Sequence, residues 1–288
     1  MNRISQIPKV INPPADVFEE YFASRGAPVI IVESEIFAGG PRTVEDVIAR
    51  GGGIAVNVRS GDYGSVTQRV TSTARLGDYL ASCIGGPEQP PCPAEGASLP
   101  NYSGNTPLSE ADFRTLGLIS PLALKRKPFE IRLGSEPPRL WLGPSGSLTP
   151  LHYDSRDNLV CQYIGRKHFV LYPPSDIPFL YTYGVAPSWS RVENPRRADL
   201  AKFPLFAKAK PVEVTVQAGE ILYLPARWSH FVVNLDVSMM VNFWPGYTLG
   251  LAGQKAISAI SRRVTQRVGF SWMRRSRPDR PARSGAVT

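Results

Sequence analysis

Cysteine is scarce in this chain, and so is histidine, with 3 of each among 288 residues. Cys83, Cys92 and Cys161 form no Cys-x-x-Cys pair. Neither a disulfide framework nor a thiolate zinc site is therefore expected, and the natural setting is a reducing one, the cytoplasm. No apolar run reaches about 18 residues, so no membrane-spanning helix is expected. The opening MNRISQIPKVINPPAD has no apolar stretch of the kind a secretory leader needs, and none is expected. Acidic residues are outnumbered, 24 against 33 basic, for a net charge of +9. The imbalance is concentrated late in the chain. Lys255, Arg262, Arg263, Arg267, Arg274, Arg275, Arg277, Arg280 and Arg283 face a single acid, Asp279. Such a tail suits RNA, an acidic peptide or anionic lipid, or is simply a solvated helix with a disordered end.

What is abundant is turn formers, with 28 prolines and 25 glycines. They imply short strands and many turns. A hydrophobic share of 42% and a charged share of 20% are those of a globular protein of one large or two modest domains. Apolar spacing predicts a helix over 15–25, a buried strand in APVIIVE, and a helix over 43–50 with Thr43 as its cap. A strand in IAVNVR and a helix over 73–83 follow. Residues 84–98 read as a Pro/Gly-rich loop. From about 128 the pattern becomes a series of short strands: RLWLG, TPLHYD, NLVCQYI, HFVLYPP, VEVTV, EILYLP, HFVVNL and MMVNFW. A helix over 249–269 and the basic tail close the chain.

Chemistry concentrates on two of the histidines. His152 precedes Asp154 by two residues, and on a strand both side chains then share a face, with Tyr153 on the other. His230 follows the strand ILYLP and the turn at Pro225, at the start of a further strand. Two imidazoles and one carboxylate on one face of an octahedral ion leave three positions open. That donor set favours non-haem Fe(II) over structural zinc.

The second of these segments matches the second motif of the cupin superfamily at Gly219, Pro225, His230 and Asn234, with Arg227 in place of the motif's middle glycine. In the first, Thr149 lies three residues before His152, Asn158 six after it and Lys167 fifteen after it, and Asn242-Phe243-Trp244 ends the strand series. Together these residues make the chain resemble the JmjC-like branch of the cupins, the branch that includes the asparaginyl hydroxylase of hypoxia-inducible factor. The resemblance covers about residues 100–248. It implies a mainly β fold: a double-stranded β-helix (cupin, or jelly-roll) core with flanking helices. The domain would span 1–248, with an α/β N-terminal section over 1–100 and the core over 100–248. A C-terminal helix and tail would occupy 249–288, and in this branch such helices often build a homodimer.

The resemblance further implies Fe(II) held by His152, Asp154 and His230, with 2-oxoglutarate and O2 as cosubstrates and hydroxylation of an unactivated C–H bond. Lys167 and Thr149 would take the far carboxylate of 2-oxoglutarate, joined by Tyr102. Asn158 and Asn242 would steady the near carboxylate or the surroundings of the metal. A protein or peptide side chain is the favoured substrate, with a small molecule or RNA as alternatives. A non-catalytic cupin-fold binding module is the reading from another class. Other roles stay open. Lys167 sits in a Gly-Arg-Lys hairpin turn, where lysines are commonly solvated. Thr149 can be a mere strand former. Trp228, Trp244 and Tyr153 suit packing, His168 an outward position, and Arg156 and Asp157 either a substrate contact or a loop.

Overall fold

The computed structural model describes residues 5–59, 72–84, 99–119, 137–183 and 188–244. The chain divides into units Met1–Gly246 and Tyr247–Thr288, and every described residue belongs to the first. The expected helix over 249–269, its role in a dimer, the basic tail, Cys92 and nearly all of the 84–98 loop lie outside the described residues.

The N-terminal section runs β1 (Lys9–Ile11), α1 (Ala15–Phe18), β2 (Val29–Val32), α2 (Val44–Gly51), β3 (Ala55–Arg59), β4 (Ser72–Arg75), α3 (Leu76–Ile84), β5 (Tyr102–Pro107) and α4 (Glu110–Leu116). Thr43 caps α2 as its sequence position predicts, its hydroxyl accepting from the Asp46 N–H at 3.1 Å. Two expectations need correction. The helix expected over 15–25 is α-helical only to Phe18, then continues as a π-helical turn over Glu19–Ala23. The helix expected over 73–83 starts late, at Leu76. Thr73 and Ala74 pair instead with Asn57 and Val56 on β3, so a sheet edge outweighs local helical spacing.

The core follows as β6 (Arg139–Gly143), β7 (Leu148–Tyr153), β8 (Asn158–Ile164), β9 (Lys167–Tyr172), β10 (Thr182–Tyr183), β11 (Ser188–Ser190), β12 (Val212–Val216), β13 (Ile221–Leu224), β14 (Ser229–Asn234) and β15 (Ser238–Phe243). All eight late strands read from the sequence are present. A nine-stranded sheet has the order β1-β2-β13-β8-β15-β6-β5-β3-β4, and a six-stranded sheet the order β10-β11-β7-β14-β9-β12. From β6 to β9, and again from β12 to β15, successive strands alternate between the two sheets, which is the jelly-roll winding. No helix among the described residues is long and apolar enough to cross a membrane.

Alternation along each strand sorts the side chains into three layers. Val160, Leu222, Leu224 and Met240 of the large sheet meet Phe169, Leu171, Val232 and Val212 of the small one between the sheets. Leu159, Cys161, Ile221, Tyr223, Val241 and Phe243 point the other way. There they pack with Phe18, Val47, Leu76, Leu80 and Leu116 from the helices. On the far side, Val170, Tyr172, Phe231 and Val233 are covered by Leu180, Phe203 and Phe206. Large sheet, small sheet and both outer covers are thus filled. Polar residues found on the inner faces stand in a dry setting, where burial without a partner is costly.

Candidate metal and cosubstrate site

β7 and β14 are antiparallel neighbours, and their register puts His152 directly opposite His230. The two imidazole centroids are 4.2 Å apart. Asp154 follows just beyond the end of β7. One ligand atom from each of His152, Asp154 and His230 lies within 4.8 Å of the other two. The His152 Nδ1 is 2.8 Å from the Pro150 carbonyl oxygen, and the His230 Nδ1 is 3.0 Å from that of Trp228. A carbonyl can only accept, so each Nδ1 carries the proton and donates. Each Nε2 is left with a bare lone pair, the tautomer a metal ligand needs. Burial, and then the neighbouring His230, push the His152 imidazole down to about 4. It is neutral at pH 7, again the ligating form.

Thr149 and His152 are three residues apart, which on a regular strand would send them to opposite faces. The ladder between β7 and β14 shifts here: His230 pairs with His152, but Val232 pairs with Thr149. Pro150 and Leu151 together oppose the single residue Phe231. This extra residue is a β-bulge, and it turns both Thr149 and His152 to the inner face. Proline suits the bulge because it has no N–H to leave unpaired. The displaced Leu151 N–H finds the Glu193 carbonyl at 3.0 Å.

Lys167 opens β9 rather than sitting in the solvated turn, and it is 0% exposed. Its ammonium donates to the Tyr102 hydroxyl at 3.1 Å and to the Asn234 side-chain oxygen. Asn234 is itself fixed, donating to the carbonyls of Gly143 and Pro144. The Tyr102 hydroxyl also hydrogen-bonds the side chain of Thr149. Tyr102 comes from β5 in the large sheet, so Lys167, Thr149 and Tyr102 meet across the space between the sheets. Among the described residues no carboxylate lies within ion-pair distance of the Lys167 ammonium. Burial pushes its pKa down to about 7. A buried cation without an anion is unfavourable by several kcal/mol.

Asn158 opens β8 and Asn242 lies near the end of β15; both are buried, and neither side-chain oxygen has a hydrogen-bond partner among the described residues. Asn242 pairs with Val160, two residues from Asn158 and on the same inner face. The short connection from β7 to β8 puts Asn158 at the His152 end of the sandwich, and antiparallel pairing puts Asn242 there too. The donor set of two neutral imidazoles and a carboxylate fits a divalent metal. The uncompensated Lys167 fits an anionic ligand beside it, and the orphaned asparagine oxygens, which can only accept, fit a donor such as a metal-bound water.

The remaining positions divide. Asp157 is structural: its carboxylate accepts from the Tyr223 hydroxyl at 2.9 Å and the Ala226 N–H at 2.7 Å, bracing the turn before His230. Trp228 is buried and donates to the Gly26 carbonyl at 2.9 Å. His168 points away from the site, with Nε2 2.7 Å from the Glu213 carboxylate. A residue that the sequence did not single out is Trp189 on β11, which pairs with His152 and stacks on its ring at 4.4 Å and 22°. Serines flank it, and no spacing rule ties this edge strand to β7. Tyr102 also sits on a strand that the sequence hid. Gly104, Asn105 and Pro107 read as strand breakers, yet the β5–β6 ladder absorbs the first two at an irregularity between Ser103 and Thr106 and pairs Pro107 with Arg139.

Arg227 takes the place of the motif's middle glycine in a turn that keeps a glycine-like backbone. It has φ +69°, the left-handed conformation glycine adopts freely. Its N–H donates to the Asp154 carbonyl at 2.8 Å, tying the turn to the end of β7. A side chain there costs roughly 1–2 kcal/mol, partly offset by the smaller chain entropy lost on folding. Arg227→Gly is expected to stabilise the protein by about 1 kcal/mol, read as a higher urea midpoint at unchanged slope.

A family model described as a cupin-like domain matches residues 97–245. Over 106 residues the chain is 42% identical to JmjC domain-containing protein D of Dictyostelium discoideum, covering 35% of this chain and 23% of that protein. It is 44% identical over 94 residues to tRNA wybutosine-synthesizing protein 5 of Gallus gallus, covering 32% and 29%. It is 36% identical over 125 residues to a bifunctional peptidase and (3S)-lysyl hydroxylase of Homo sapiens, covering 36% and 40%. The chain thus spans well under half the length of these relatives. The jelly-roll winding and the match over just over half of the residues lead to one conclusion: this chain belongs to the cupin-like domain family, among relatives that carry the JmjC name.

Proposed function

We propose that this protein is an Fe(II)- and 2-oxoglutarate-dependent oxygenase that hydroxylates an unactivated C–H bond, with a protein or peptide side chain as its substrate. One observation carries the reading. Lys167 is fully buried, with no carboxylate among the described residues to meet it, between the same two sheets as His152, Asp154 and His230. A metal site alone does not require that cation; a metal site that also takes a dicarboxylate does.

In this reading His152 and His230 ligate through Nε2, and Asp154 supplies the negative ligand. Lys167 pairs with the far carboxylate of 2-oxoglutarate, with the Thr149 and Tyr102 hydroxyls as further donors. Asn158 and Asn242 orient the near carboxylate or the metal's surroundings. The metal with 2-oxoglutarate and dioxygen supplies the oxidation: the cosubstrate leaves as succinate and CO2 after taking one oxygen atom, and the other goes to the substrate. The inner-face apolar layer (Phe169, Leu171, Val232, Leu224) keeps water from the site. The peptide reading is supported by the relative named as a lysyl hydroxylase. A second reading, hydroxylation of RNA, draws on the relative named for wybutosine synthesis in tRNA and on the basic residues after 254. Both readings place the protein in the cytoplasm, in keeping with the free thiols of Cys83 and Cys161.

The decisive experiment incubates the purified protein with Fe(II), 2-oxoglutarate and cell extract. Succinate release, and peptides or nucleosides heavier by one oxygen atom, are expected with wild type and absent with His152→Ala. Equal results from both proteins would end the oxygenase reading and favour a non-catalytic binding module.

A further inference from the structure

The metal end of the site holds a cation that the proposed chemistry does not use. Arg139 opens β6 and pairs directly with Asn242 on β15. Directly opposed residues share a face. Asn242 shares its face with Met240, which packs in the layer between the sheets. Trp141, two residues from Arg139, contacts that same layer, whereas Leu140 and Leu142 belong to the helix-covered side. Arg139 therefore faces inward. It also stands at the metal end of the sandwich: β8 begins there, β15 ends there, and β6 starts opposite the end of β15. Its Nε is buried and has no hydrogen-bond partner among the described residues. Among the described residues no carboxylate pairs with it.

Charge decides what this arginine is for, given the oxygenase reading on which the inference rests. A divalent metal, Asp154, Lys167 and the dicarboxylate cosubstrate together come to neutral. Arg139 lies outside that sum, as does the buried Arg59 beside Tyr102; of the two, Arg139 stands at the metal end, on an inner face where an unpaired guanidinium N–H is unfavourable. We propose that Arg139 is the anchor for a carboxylate of the substrate, so that this enzyme takes an acidic substrate and holds it by that group beside the metal. A guanidinium is suited to this, since its planar fork meets a carboxylate through two parallel hydrogen bonds. The side chain is half-buried, so a small acidic group reaches it more readily than an extended polyanion, which favours an acidic peptide side chain.

The test uses full-length protein loaded with Mn(II) and 2-oxoglutarate. The probes are end-blocked dipeptides containing Asp or Glu, their Asn and Gln counterparts, and inorganic phosphate. Binding is read by thermal shift and calorimetry. Wild type is expected to bind the acidic dipeptides at least about tenfold more tightly than the amides, the size of roughly one added charge-assisted hydrogen bond. Arg139→Met should erase that preference while leaving 2-oxoglutarate affinity within about twofold of wild type; Arg139→Gln serves the same purpose should the methionine variant not fold. Three results overturn the proposal. One is equal binding of acids and amides by wild type, or a preference that survives Arg139→Met. Another is phosphate binding more tightly than the acidic dipeptides. The last is loss of 2-oxoglutarate binding in Arg139→Met, which assigns the arginine to the cosubstrate. A wild type that binds no 2-oxoglutarate at all sinks the oxygenase reading separately, and the acid–amide comparison on Mn(II)-loaded protein still decides the role of Arg139.

Discussion

Lys167→Met is expected to make the ligand-free protein more stable and to abolish its response to 2-oxoglutarate. In the ligand-free fold the ammonium is fully buried, with a phenol and an amide oxygen for company and no anion among the described residues. Exchanging a buried charge for a well-packed apolar side chain is often neutral or gains about 1–4 kcal/mol. Stranding the Tyr102 hydroxyl and the Asn234 oxygen returns roughly 1–2 kcal/mol of that. A net gain of about 1–2 kcal/mol remains, measurable by urea denaturation of metal-free protein. With cosubstrate the sign reverses. A carboxylate buried without its countercharge costs about 3–5 kcal/mol, so affinity for 2-oxoglutarate falls roughly a hundredfold to several thousandfold. Calorimetric titration of the Mn(II)-loaded protein reads it. A variant that is destabilised without ligand, yet binds 2-oxoglutarate normally, would mark Lys167 as purely structural.

The same lysine gives a pH signature. Its pKa is about 7 in the fold against an ordinary 10.5. Between these values the unfolded chain holds the proton and the folded chain does not, so stability rises with pH across that window. The penalty is complete below about 7 and gone above 10.5. Lys167→Met should flatten this rise. Cosubstrate binding runs the other way, because only the ammonium pairs with a carboxylate. In wild type, affinity should weaken as pH climbs through and above 7.

His230→Ala should remove metal binding while sparing the fold. Loss of the residues that merely orient a metal ligand costs about 10–100-fold in affinity. Loss of a ligand itself, from a set of three, should exceed the upper figure for Mn(II). At metal concentrations about 100-fold above the wild-type dissociation constant, wild type gains about 2.7 kcal/mol of stability, and the variant should gain none. His152→Ala and Asp154→Asn should match it. The double variant of both histidines should be no worse, because the ligands work as a unit. Succinate formation should fall at least about a thousandfold in each, since metal-assisted steps depend on the ion for several kcal/mol. An intact Mn(II) shift in His230→Ala would remove this residue from the site.

The strand series after residue 128 was legible in the sequence because alternation and turn residues act locally. So were the His-x-Asp pair and the cap at Thr43. The N-terminal section was less legible. Thr73 and Ala74 carry helical spacing, yet β3, itself legible in IAVNVR, offers them paired backbone partners, and nothing local announces that pairing. Tyr102 could be named from resemblance, but its strand could not, because an irregular ladder hosts the residues that ordinarily end one. Trp189 escaped altogether, since its contact with His152 depends on an edge strand joining β7 from a distance.

The three candidate ligands, their spacing and the series of core strands were thus legible in the chain alone, through periodicity and turn chemistry, and the jelly-roll winding through resemblance. Tertiary structure decided how they face. A three-residue step from Thr149 to His152 points both ways on paper, and only the bulge opposite Phe231 turns both inward. Lys167 looks like a solvated turn residue until β12 and β14 close on either side of it. Arg139 looks like any strand-edge arginine until β15 sets Asn242 beside it. Facing and burial are properties of pairs of strands far apart in sequence, and so they appear only when the sheets assemble.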